Sequence, residues 1–180
     1  MKSWSSRLLL IAAVAGVAGC ATWRQWTHTG EAGAAPAESP AGTAPAHVML
    51  APGALKWQPF PLGGPGARLA VLSGDPEKSG PFVIRIRQPA GGKTPPHWHP
   101  VDEHVTVVKG TLFLGMGEKL QKRGAREFPA GSYLMLPAKM PHFGWVARKG
   151  EGIVQVHGMG PFQVVFVNPA DDPRNKTGKR

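Results

Sequence analysis

The chain has 180 residues, with 21 Lys and Arg against 11 Asp and Glu, for a formal net charge of +10. It is 42% hydrophobic and 18% charged, a globular balance that suits one domain with tails. The basic charges are scattered, and no helix-turn-helix pattern or aromatic RNA-binding signature accompanies them, so no nucleic-acid partner is expected. Attraction to anionic lipid or a merely solvated basic surface explains the charge equally well. The only cysteine, Cys20, cannot form an internal disulfide, which leaves the core to hold the fold.

In chain order, residues 1–19 read as a signal peptide: Lys2 and Arg7 precede an apolar run over residues 8–19. Twelve residues of helix are too short for a hydrocarbon core of ~30 Å. The run ends Val17-Ala18-Gly19-Cys20, which resembles the lipobox of bacterial lipoproteins. That resemblance implies lipidation of Cys20, with several acyl chains giving stable anchoring. The implied location is the periplasmic side of the cell envelope, and Ala21 after the cysteine points to the outer membrane. Trp23 and Trp26 then suit a membrane interface or an exposed linker. Residues 20–54 are rich in Ala, Gly, Pro and Thr and read as a flexible, lipid-anchored linker.

The domain is expected over residues 55–168. Residues 82–87 alternate Phe82, Ile84 and Ile86 against Val83, Arg85 and Arg87, and residues 103–108 keep the same period of two. Residues 111–116, 132–136, 142–146, 152–159 and 162–167 are further strand-length runs. Turn signals stand at Ser73-Gly74-Asp75-Pro76, Ala90-Gly91-Gly92, Lys109-Gly110 and Pro129-Ala130-Gly131. Short strands at this spacing predict an all-β antiparallel sandwich or barrel. Gly and Pro, 24 and 19 residues, fit that expectation better than an all-helical one. Residues 169–180 read as a polar basic tail that frays.

Three histidines and a glutamate stand out. His97 and His99 are two apart, so a strand projects both from one face, and Glu103 has the same parity. His142 lies on a later strand after Pro141, and closure of the sheet can bring it opposite the pair. Three imidazoles and a carboxylate suit one divalent transition metal: Fe, Mn, Zn, Ni or Cu. Four protein donors on a six-coordinate ion leave two positions open for water, substrate or dioxygen.

The segment from Gly91 to Gly110, G-GKTPP-H-W-H-PVD-E-HVTVVK-G, resembles the first motif of the cupin superfamily at every spacing. Residues 131–142 resemble the second motif in part: Gly131, Pro137 and His142 match, whereas Lys139 replaces the usual Gly and Val146 the usual Asn. The resemblance implies a cupin-type antiparallel jelly-roll barrel with a metal held by His97, His99, Glu103 and His142. Strand alternation sends His104 to the opposite face from Glu103.

His157 is the best candidate for a catalytic acid or base, although a satisfied core or surface role fits it better. Arg85 and Arg87 could clamp a substrate carboxylate if their face lines the barrel; a solvated face is the commoner arrangement. Tyr133 is the only tyrosine. Phe113, Met116, Phe143 and Trp145 form an apolar pocket wall or core. The expected partners are a small-molecule substrate or ligand, the membrane through the lipid anchor and, by analogy with other cupins, a second copy in a homodimer. The expected activity is that of a metal-dependent oxidoreductase of dioxygenase type, with isomerase chemistry also represented in the superfamily. The alternatives are a non-catalytic envelope module that binds or senses a metal or small molecule, and a structural domain stabilised by its metal.

Overall fold

The structure, a computed structural model, describes residues 47–176. The expected signal peptide, Cys20, Trp23, Trp26 and most of the expected linker lie outside the described residues. Eleven strands are present among those described: β1 (Gln58–Pro59), β2 (Arg68–Ser73), β3 (Gly80–Gln88), β4 (Lys93–Trp98), β5 (Glu103–Lys109), β6 (Thr111–Met116), β7 (Arg126–Pro129), β8 (Tyr133–Leu136), β9 (His142–Val146), β10 (Gly152–Gly160) and β11 (Val165–Phe166). The described helices are short 3-10 turns, and none is long and apolar enough to cross a membrane.

Two antiparallel sheets form the domain. One has the order β1-β2-β3-β10-β5-β8 and the other β11-β4-β9-β6-β7. Alternation decides what each strand buries. On β3, Phe82 and Ile84 are almost fully buried while Arg85 and Arg87 turn outward. Val105 and Val107 of β5, Leu134 and Leu136 of β8 and Val156 of β10 complete one apolar cluster, with Leu112 and Leu114 of β6 packed against it. The all-β jelly roll expected from the sequence is the fold observed.

The passage from β5 to β6 carries the chain from one sheet to the other at Gly110. Its φ is +75°, and a Cβ there would lie 2.6 Å from the carbonyl oxygen of Glu151. Glycine meets both the left-handed backbone and the close approach.

The sequence reading did not name β1, β2 or β7; it put His97 and His99 on one strand, whereas β4 starts at Lys93 and ends at Trp98, before His99. In β4 the reason is chemical. Its sequence Lys-Thr-Pro-Pro-His-Trp has two residues without a backbone donor, and the pairing with β9 slips between Thr94 and His97, where Pro95 and Pro96 lie. The expected strand over residues 162–167 is shorter, with only Val165–Phe166 paired. The tail also begins later than expected. Residues 169–176 form two proline-started 3-10 turns. Asp172 receives Arg174 Nε at 2.9 Å, and Arg174 Nη2 donates to the Val164 carbonyl at 3.0 Å, which ties this segment back to the barrel.

Candidate metal centre

His97 on β4 and His142 on β9 are register partners, with ring centroids 4.3 Å apart. His99 follows β4 in the connection to β5, and its ring lies 5.0 Å from that of His97 and 5.3 Å from that of His142. Glu103 opens β5 and therefore comes from the opposite sheet. Its Oε2 is 3.4 Å from the Nε2 of both His99 and His142. All four side chains are buried.

Backbone carbonyls fix the three rings. His97 Nδ1 donates to Pro95 O at 2.8 Å, His99 Nδ1 to Gln163 O at 2.7 Å and His142 Nδ1 to Met140 O at 3.0 Å. A carbonyl only accepts, so each neutral ring carries its proton on Nδ1 and its lone pair on Nε2. One donor atom from each histidine lies within 4.8 Å of those of the other two. Burial, followed by repulsion from His142 and His99, pushes the His97 imidazole down to about 3, so it is neutral at pH 7. Burial alone would push the Glu103 carboxyl up; His142 and His99 beside it outweigh this and hold it below the usual carboxylate range.

The group fits a cation on its own chemistry. His99 Nε2 is buried and makes no hydrogen bond, with Glu103 Oε2 3.4 Å away. A buried lone pair without a partner is costly, and a metal ion would satisfy it. The three buried histidines could therefore hold a metal ion.

The loops around the donors are tied together. Lys139 N donates to His99 O at 2.7 Å, and Asp102 Oδ1 accepts from Ala138 N at 2.7 Å. Lys139 is the one non-glycine residue with positive φ among those described, at 62°. The backbone expected for the replaced glycine is thus kept, with Lys in a strained conformation. Val146 is 3% exposed and lines the cavity wall. Phe162 stacks on His99 with centroids 4.2 Å apart.

The donors open on a cavity of about 90 Å³ between the sheets. Its wall is aliphatic, including Ile86, Leu112, Leu114, Val154 and Val156. Gln88 and Thr94 add a polar pair, Gln88 Nε2 donating to Thr94 Oγ1 at 2.8 Å and to the Gly63 carbonyl. Among the residues lining this cavity, only the four candidate ligands titrate. A larger cleft of about 710 Å³, lined by Pro59, Pro61, Lys93 and Phe166, contains none of them.

For His157, Arg85 and Arg87 the outward roles preferred from the sequence are the ones observed, and the catalytic and substrate-binding alternatives are corrected. His157 does not reach the cavity. On β10 the inward residues are Val154 and Val156, so alternation turns His157 outward, where it stacks on His104. Arg85 and Arg87 are also on the outer face: Arg85 Nε donates to Gln155 Oε1 at 3.2 Å, and the Arg87 guanidinium lies 4.7 Å from the Trp57 ring centroid. Neither can clamp a ligand inside the barrel. Of the two roles open to Phe113, Phe143 and Trp145, the pocket wall is not the one observed: Phe113 and Phe143 each stack on Trp145, Phe143 is a core residue at 1% exposure, and Leu112, Leu114, Gly144 and Val146 take the inward positions. Met116 is 43% exposed. His104 does face away from Glu103. The sequence reading missed Gln88, Thr94 and Phe162. It also missed the three ring-fixing carbonyls; those of Pro95 and Met140, each two residues before its histidine, were locally visible.

A jelly roll with converging histidines between its sheets defines a cupin, of a kind suited to holding a metal. Residues 45–163 match the family described as the ChrR Cupin-like domain, and the chain belongs to that family. Among solved structures, the polyketide cyclase RemF from Streptomyces resistomycificus is similar at 18% identity and TM-score 0.59, over 74% of this chain and 94% of that one. An RmlC-like cupin from Shewanella frigidimarina is similar at 17% identity and TM-score 0.50, over 64% and 91%. These likenesses establish the fold. No curated protein matches the chain.

Proposed function

We propose that this chain is a lipid-anchored envelope cupin whose barrel binds one divalent transition metal through His97, His99, His142 and Glu103, and that it acts as a metal-dependent oxidoreductase of dioxygenase type on a small organic substrate. The observation that carries the reading is that one donor atom of each buried histidine lies within 4.8 Å of those of the other two, with every Nδ1 bonded to a carbonyl and the Glu103 carboxylate beside them.

A bound Fe or Mn would supply Lewis-acid and redox chemistry. The chain's own residues supply the rest. The carbonyl-bound imidazoles are held in orientation before any ligand arrives, which removes a reorganisation cost from ligand binding. Glu103 contributes one negative charge. The aliphatic wall excludes water and shapes the space for a ligand of few atoms. An isomerase needs a separate group to move a proton, and the cavity wall offers no titratable residue beyond the ligands. Oxidative chemistry at the metal is less demanding in that respect. The same wall favours a second reading, a non-catalytic module that binds or senses a small molecule.

The envelope location rests on the pattern ending at Cys20. The Cys20→Ser variant should move from the membrane to the soluble fraction; unchanged fractionation would refute the anchor. For the site, the metal-loaded protein is incubated with oxygen and small phenols or keto acids. Oxygen uptake that disappears in His142→Ala supports the enzyme, whereas reversible binding without conversion supports the module.

A further inference from the structure

The cavity beside the four donors has a polar feature that a bound metal would not use. Gln88, at the end of β3, is 7% exposed and lines this cavity rather than the larger cleft. Its amide is held at the nitrogen end. Nε2 donates to Thr94 Oγ1 at 2.8 Å and to the Gly63 carbonyl. A primary amide has two N–H donors, so these two bonds use both and fix which way the oxygen faces. Oε1 itself receives no hydrogen bond among the described residues. Nor is it sealed in protein: among the described residues, His99 Nε2 is the one fully enclosed side-chain polar atom without a partner. Gln88 Oε1 is therefore an open acceptor on a nearly buried side chain, set in an aliphatic wall.

Such an atom discriminates between ligands. A molecule that enters the cavity displaces water from Oε1, and a buried acceptor left without a partner is costly. A ligand that brings a hydroxyl or an N–H restores the bond. A ketone or a carboxylate only accepts, so it leaves the bond unmade and sets its own lone pairs against those of Oε1. Because Thr94 and Gly63 already hold the amide, little side-chain freedom is lost when the ligand arrives.

We propose, on the reading of this cavity as the ligand site, that Gln88 is a specificity-determining residue. Its Oε1 accepts a hydrogen bond from the substrate and selects small molecules with a hydroxyl or N–H group over those that only accept. Thr94 and Gly63 position it.

The probes are 2-propanol and acetone, which share one branched skeleton and differ by a hydroxyl donor. A cavity of about 150 Å³ holds benzene, so about four non-hydrogen atoms suit one of about 90 Å³. Each probe is titrated into the full-length, zinc-loaded protein, and binding is read from the methyl resonances of Leu112, Leu114, Val154 and Val156. The parent should bind 2-propanol about 2- to 12-fold more tightly than acetone, the range of a typical net hydrogen bond. The preference should vanish in Gln88→Leu, which keeps apolar bulk but has no acceptor. A preference set by the zinc ion or by the Thr94 hydroxyl would survive in that variant and overturn the proposal. Where a circular dichroism melt shows Gln88→Leu to be unfolded, the parent's own Gln88 side-chain amide decides. Its Nε2 resonances should move further at saturation with 2-propanol than with acetone, and equal shifts would overturn the proposal. Equal affinity for the two probes in the parent would remove the role of Gln88 and leave the cavity as a ligand site. No response to either probe would overturn that reading as well.

Discussion

His97 and His142 face each other across two paired strands, their rings 4.3 Å apart, although they lie far apart in the sequence. One stands just past a Pro-Pro slip in β4 and the other follows Pro141 at the start of β9. Each bonds the carbonyl two residues before it. The same local device is thus used twice, and register brings the two copies together.

Removing a donor should empty the centre. Loss of an outer group that merely orients a ligand typically costs ~10–100-fold in metal affinity, so loss of a direct donor should exceed that. His97→Ala and Glu103→Ala should each be purified without metal. Full metal content in both variants, measured by elemental analysis, would contradict the assignment of these donors.

Metal-free protein should lose stability in acid. His97 has an ordinary value of 6.5 and is pushed to about 3 in the fold, so the unfolded chain takes up the proton first as pH falls. Its contribution is full above about pH 6.5 and declines towards pH 3. Glu103 acts in the same direction: burial opposes its ionisation, but His142 and His99 hold it below its ordinary 4.5. Its contribution is present above that value and is lost as pH falls through the folded one. Each tenfold difference in proton affinity between folded and unfolded chain is worth about 1.4 kcal/mol, so the combined loss from neutral pH to about pH 4 should amount to a few kcal/mol. Thermal melts in a chelating buffer check this, and a Tm that is flat over that range would contradict a neutral buried His97.

Gly115 should not tolerate a side chain. A Cβ there would lie 2.3 Å from Cζ of Phe143, which is 1% exposed and has little room to move. Overpacking of this kind costs about 1–3 kcal/mol. Gly115→Ala should lower the urea midpoint accordingly, and an unchanged midpoint would show that Phe143 can shift.

Lys139 holds a left-handed backbone at φ 62°. Glycine would remove about 1 kcal/mol of strain but adds a comparable chain-entropy cost. Lys139→Gly should therefore change stability by less than about 1 kcal/mol. Lys139→Val, β-branched in the same conformation, should cost more than that. Equal denaturant midpoints for the two variants would mean that the turn relaxes.

The sequence alone determined the strand faces with strict alternation, the antiparallel all-β class and the spacing of His97, His99 and Glu103. Those features depend on near neighbours along the chain, and the period of a strand is visible at that range. It did not reveal the extent of β4, because Pro95 and Pro96 disguise it and pairing with β9 and β11 holds it extended. Tertiary structure alone decided that Glu103 reaches the histidines from the opposing sheet, that Gln163 fixes His99 from 64 residues away and that His157 faces solvent beside His104. Alternation gives the two faces of a strand but not which one turns inward when all its neighbours are mixed, as they are along β10. The closure of two sheets around one apolar interior makes that choice.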